Sequence, residues 1–167
     1  MTQSVLVTYA TKAGSTVAIA DAIGEVLTAR GFRVTVKPLK DKPSLDSYQA
    51  VVIGSAIRMG SWLPEALAFV RDNRVRLSQL PAALFTVHML NTGSDAASQA
   101  VRQAYTAPVR QLIAPQAEVF FAGQMDYAKL SFVDRLLAKA AGKASQTGEG
   151  DQRDWAKVRG WAQTILA

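Results

Sequence analysis

Tyr9-Ala10-Thr11-Lys12-Ala13-Gly14-Ser15-Thr16 joins an apolar run to a helical pattern, and its reading decides the fold. Ahead of it, Val5, Leu6 and Val7 have the pattern of a short buried strand, and behind it Val17, Ala20, Ile23 and Leu27 recur at helical spacing. The join itself consists of hydroxyls and small residues, with Gly14 able to bring backbone close to a ligand. Free N–H groups at a helix N-terminus, helped by Ser and Thr hydroxyls, suit a phosphate. The hydroxyls bind a dianion without adding full charges, and the helix dipole supplies part of the attraction. Thr11, Lys12, Ala13, Gly14, Ser15 and Thr16 are therefore the expected phosphate cradle; the plainer alternative is a capped βα turn with no ligand.

Working outward, the rest of the chain alternates strand and helix patterns, which argues for a parallel sheet covered on both faces. Strands are expected near 3–9, 33–38, 50–54, 82–88 and 117–123, and helices near 15–30, 62–73, 95–113 and 151–166. Ala50-Val51-Val52-Ile53 and Ala82-Ala83-Leu84-Phe85-Thr86-Val87 are continuous apolar runs, as strands buried on both faces require. Gly31 falls where a helix C′ residue belongs, and Pro108 predicts a break near Ala107. The expectation is an α/β fold: a five-stranded parallel sheet of order 2-1-3-4-5, forming one domain over residues 1–167 with an insert at about 125–150.

The charge balance is +6, from 19 Lys and Arg against 13 Asp and Glu, which favours anionic partners. The basic residues are dispersed and not interleaved with aromatics, so no nucleic-acid role is expected. With no cysteine, disulfides, thiolate metal sites and Cys nucleophiles are excluded together, and no metal site is expected. No run of about 18 apolar residues is present and the first residues lead directly into a strand pattern, so a membrane span or signal peptide is not expected. A cytoplasmic location follows as the expectation. No G-x-x-x-x-G-K-S/T and no G-x-G-x-x-G occurs, which argues against a P-loop nucleotidase and a dinucleotide fingerprint.

In a sheet of this order, the carboxyl ends of strands 1, 3 and 4 converge at the topological switch point. The third strand leads into Gly54-Ser55-Ala56-Ile57-Arg58-Met59-Gly60-Ser61-Trp62, and the fourth into Val87-His88-Met89-Leu90-Asn91-Thr92-Gly93. Three loops of small and polar residues meeting there suit a phosphorylated, flat, partly apolar ring. At this point the chain resembles the FMN proteins of the flavodoxin fold over essentially its whole length. Thr11-x-x-Gly14-x-Thr16 is similar to their T-x-S/T-G-x-T phosphate loop, with Ala13 in place of the usual hydroxyl.

More narrowly, the chain resembles the menaquinone-dependent protoporphyrinogen oxidase branch. The residues carrying this are Val51-Val52-Ile53-Gly54-Ser55-Ala56-Ile57-Arg58-Met59-Gly60, Ala68-Phe69-Val70, Phe132-Val133-Asp134-Arg135 and Asp154-Trp155. That resemblance implies noncovalent FMN and electron transfer from a tetrapyrrole precursor to a quinone. The expected FMN contacts are the cradle, then Ser55, Ala56, Ile57, Arg58, Met59 and Gly60, then Val87, His88, Met89, Leu90, Asn91 and Gly93. The candidate catalytic residues are Arg58 and His88.

Several of these residues carry two readings. Arg58 is either a solvated charge or a cation for reduced flavin or a substrate carboxylate. His88 is either a packed strand-end residue or an acid–base group. Trp62 either packs or covers the flavin edge, and Met59, Met89 and Met125 either fill gaps or contact a flat ring. In the insert, Phe132, Leu136 and Ala140 form an apolar face beside Arg135, Lys139 and Lys143. Residues 129–143 thus read as a basic amphipathic helix that either touches an anionic membrane, at the inner face, or packs on its own domain. The competing functions are a flavodoxin-type electron carrier, which the positive charge disfavours, and a flavin-free binding module. A phospho-Asp receiver is excluded, because Thr11 and Gly54 stand where its acidic residues would be.

Overall fold

A computed structural model describes residues 2–11, 14–88, 95–125, 150–151 and 153–166. The expected insert helix and residues Lys12, Ala13, Met89, Leu90, Asn91, Thr92 and Gly93 lie outside the described residues.

Strand β1 (Ser4–Ala10) is followed by helix α1 (Ser15–Ala29) and β2 (Arg33–Pro38), then a 3-10 turn at Leu39–Asp41. Next come β3 (Ala50–Arg58), β4 (Ser61–Trp62), α2 (Pro64–Asp72), α3 (Arg74–Leu77) and β5 (Ala82–His88). Helices α4 (Ala96–Tyr105) and α5 (Ala107–Arg110) lead to β6 (Ala117–Ala122). Short strands β7 (Gln124–Met125) and β8 (Gly150–Asp151) pair antiparallel, and α6 (Trp155–Thr164) ends the described chain.

The long strands lie parallel in the order β2-β1-β3-β5-β6. Since β4 is only a two-residue antiparallel addition to β3, this is the expected 2-1-3-4-5 arrangement with one extra strand off the path. Strand β1 sits between β2 and β3 and hides its side chains on both faces, which is why its pattern is continuous rather than alternating. Val5, Val7 and Tyr9 belong to the core with Ile19, Ile23 and Leu27 of α1 and with Val158 and Ala162 of α6. Leu6 and Ala10 belong to the opposite core, with Val51, Ile53, Ala66 and Val70.

Helix ends follow their local chemistry. Gly31 N–H donates to the Thr28 carbonyl (3.0 Å) and Phe32 N–H to the Leu27 carbonyl (3.1 Å), closing α1 with the paired bonds of a Schellman motif. The expected 95–113 helix is two helices, because Pro108 lies in the first turn of α5 and has no N–H to continue α4. Asp154 accepts from Lys157 N–H at 3.0 Å and caps α6. At its other end α6 is held by Arg30 Nη1, which donates to the carbonyls of Ala162 (2.8 Å) and Ile165 (2.6 Å).

Two expectations are corrected. Strand β3 runs four residues past the expected end at Gly54, to Arg58, and Trp62 lies in β4 rather than in a helix starting at 62. The cause is a hairpin: Ile57 pairs with Trp62 and Arg58 with Ser61 across the two-residue turn Met59-Gly60. Both turn residues have positive φ, +55° and +77°, as a type I′ turn demands; glycine adopts this freely and methionine does so under strain.

Candidate functional site

The parallel register brings the carboxyl ends of β1, β3 and β5 side by side, with Ala10 opposite Ser55 and Ser55 opposite Thr86. The first wall of this rim is the turn into α1. Thr11 Oγ1 accepts from Gly14 N–H at 3.0 Å, and Gly14, in the left-handed region at φ +86°, precedes the helix. The first turn of α1 has no side-chain cap and no acidic residue, so its dipole meets no local counter-charge.

Thr16 lies in that turn with no exposed surface, and its Oγ1 has no hydrogen-bond partner among the described residues. A buried hydroxyl left without a partner costs about 1–3 kcal/mol. Among the described residues its place is open to a further polar atom, as is that of Thr8 Oγ1 within β1. Such a donor set, a helix N-terminus and neutral hydroxyls, fits the phosphate of FMN. Tyr9, buried near the end of β1, has its phenol pushed above its ordinary pKa by burial and further up by Asp21 and Asp41.

The second wall is the end of β3 with its hairpin. Ala56 and Ile57 are partly exposed, Arg58 and Gly60 are exposed, and Met59 is 84% exposed at the tip. Ser55 does not share this surface. It is fully buried, accepting the Leu63 N–H at 3.0 Å and donating to the Ala56 carbonyl at 2.8 Å, so it supports the loop from beneath instead of lining it. Trp62 is likewise a packing residue, 1% exposed, with its indole N–H on Thr86 Oγ1 at 2.8 Å.

The third wall is the end of β5. Val87 belongs to the α1-side core. His88 is 6% exposed, with the rings of Tyr105 and Phe120 at centroid distances of 6.1 and 6.4 Å. Its carbonyl accepts from Gly123 N–H at 2.9 Å. The described surroundings pack His88 against two aromatic rings at the strand end. Thr86 was absent from the sequence-derived site; a Thr inside an apolar strand gives no sign that a Trp 24 positions earlier bonds it.

This α/β sheet, with the carboxyl ends of three adjacent strands side by side at the switch point, defines the class, and the chain belongs to the flavodoxin domain family, whose model matches residues 6–152. Among curated relatives it is 30% identical to protoporphyrinogen IX dehydrogenase (quinone) of Leishmania major, over 97% of this chain and 74% of that one. It is 27% identical to the Escherichia coli K12 protein of the same name, over 96% of this chain and 93% of the relative. Its fold is similar to that of oxidised Flavodoxin 1 from Bacillus cereus, with TM-score 0.52, 18% identity, and 80% and 90% of the two chains covered. It also spans 35% of the rubredoxin oxygen:oxidoreductase of Desulfovibrio gigas, with TM-score 0.52, 16% identity and 97% of this chain covered.

Proposed function

We propose that this protein is an FMN-dependent oxidoreductase that takes electrons from a reduced tetrapyrrole of the protoporphyrinogen type and passes them to a quinone. The observation carrying the FMN part is the orphaned, buried Thr16 hydroxyl at the N-terminus of α1, at the switch point of a flavodoxin-family sheet. The substrate and acceptor rest on the names of relatives that align over nearly the whole chain.

Thr11 and Gly14 to Thr16 hold the phosphate through hydroxyls and helix N–H groups, with Lys12 and Ala13 completing the loop. Ala56, Ile57, Met59 and Gly60 flank the ring through backbone and apolar groups, opposite the segment from Val87 and His88 through Met89, Leu90, Asn91 and Gly93. Bound flavin supplies the means of accepting electrons from one partner and delivering them to another. Arg58, exposed beside the tip, offers a planar guanidinium fork to a substrate carboxylate. His88 backs the third wall. Quinones partition into membranes, so the acceptor meets this protein at a membrane surface, and residues 129–143 are the proposed contact at the inner face of a cytoplasmic location.

The purified protein is expected to show visible flavin bands and to release intact FMN on denaturation. Thr16→Val should weaken FMN by roughly ten- to a hundredfold, the loss of one charge-assisted bond of about 1.5–3 kcal/mol, and leave riboflavin affinity unchanged. Equal affinity of the wild type for FMN and riboflavin would refute the cradle. Turnover requiring protoporphyrinogen and a quinone together tests the reaction, and flavin binding without turnover would leave an electron carrier.

A further inference from the structure

The β3–β4 hairpin is held at its base by a small set of buried polar bonds. Trp62 donates its indole N–H to Thr86 Oγ1 (2.8 Å) on β5, and Leu63 donates its backbone N–H to Ser55 Oγ (3.0 Å) on β3. Ser55 in turn donates its hydroxyl hydrogen bond to the Ala56 carbonyl (2.8 Å), so its hydroxyl both donates and accepts. Ser55 and Thr86 stand opposite one another in the parallel register, and neither has exposed surface. The returning strand is thus tied to two neighbouring strands at once.

The tip shows what this fixing accomplishes. Met59 is held in the left-handed region at φ +55° while its side chain is 84% exposed. A residue other than glycine keeps such a conformation only where its surroundings over-determine it. An exposed tip takes that determination from its base. Register slippage is opposed because any shift of Trp62 strands a buried indole N–H, and any shift of Leu63 strands a buried amide.

We infer that Trp62, Thr86 and Ser55 are positioning residues that hold the 56–60 hairpin in one pose against the ring half of the flavin. This rests on the FMN reading given above. The clamp acts on the ring and is remote in role from the phosphate cradle, so its loss has a signature that a change at Thr16 lacks.

Thr86→Val keeps the side-chain shape and removes the acceptor, and Thr86→Ser restores the hydroxyl. Thr86→Val is expected to weaken FMN and riboflavin by the same factor, about tenfold, and to shift the reduction potential of the bound flavin, with Thr86→Ser recovering both. Trp62→Phe combined with Thr86→Val removes both partners, leaving no orphaned group; it is expected to fold, by far-UV circular dichroism and thermal melting, yet still bind both flavins weakly. If Thr86→Val does not fold, this double variant carries the test alone. Wild-type affinity for both flavins in a destabilised Thr86→Val, or in the double variant, overturns the inference and leaves the FMN reading standing. A loss confined to FMN also overturns it, because the effect then belongs to the phosphate. A wild type that binds neither flavin overturns both.

Discussion

Gly54 shows how one residue ties the core to the site. It lies in register between Tyr9 on β1 and Phe85 on β5, immediately before Ser55. A methyl group there would sit 2.0 Å from Phe85 Cζ. The Phe85 ring cannot withdraw freely, since it packs on Phe121 (centroids 6.3 Å), which in turn meets Trp161 edge-on at 5.8 Å. Gly54→Ala is therefore expected to cost about 3 kcal/mol, at the upper end of ordinary overpacking, read as a lowered urea midpoint. Combining it with Phe85→Leu should cost less than the sum of the two single changes, because the second removes the atoms that the first strikes. An additive result would place the strain elsewhere.

At the scale of elements, the most exposed dependence is that of α6 on its two ends. Asp154 caps its start and Arg30, at the end of the neighbouring α1, closes its end, while Val158 and Ala162 join the core between them. Lys157 adds a bond from its ammonium to the Phe120 carbonyl (2.8 Å) on β6, the last strand of the sheet. Burial pushes this ammonium below its ordinary pKa, Arg102 adds to the shift, and Asp154 opposes it. Asp154→Ala should cost about 1 kcal/mol of stability, whereas Asp154→Asn, an equally good cap, should cost a few tenths. Equal losses from the two variants would assign the effect to charge rather than capping. The Asp154-Trp155 pair picked out in the sequence thus has a structural explanation in helix initiation.

The same scale separates what could be read in advance from what could not. The parallel core was legible because Val51-Val52-Ile53 and Ala83-Leu84-Phe85 have no polar alternation, which only a doubly covered strand tolerates. The α4–α5 break was legible because Pro108 lacks a donor. The extension of β3 through Ala56-Ile57-Arg58 and the strand at Trp62 were not. They depend on a two-residue turn with methionine in an unfavourable conformation and on an indole partner in another strand, neither of which leaves a local pattern. Thr11, Gly14 and Thr16 were legible as the turn from β1 into α1 from residue type and spacing. The inward placement of Ser55 and His88 was not, because a strand-end position says nothing of which neighbours close over it.

At the scale of the whole molecule, β7 and β8 bring the two flanks of residues 126–149 into a paired stub, Gln124 opposite Asp151 and Met125 opposite Gly150, just beyond the carboxyl end of β6. Replacing 126–149 with Asn-Gly, the dipeptide suited to a two-residue hairpin turn, is expected to preserve far-UV dichroism and the preference for FMN over riboflavin. Closing a shorter loop also lessens the entropy lost on folding, though the saving grows only slowly with length. Loss of folding in that variant would show that the excised residues belong to the core. The stub is in effect a splice point. A lineage carrying this sheet can trade the sequence beyond Met125 for another, of different length and surface, without disturbing the parallel strands, and so acquire new clients while the rim at their carboxyl ends is inherited intact.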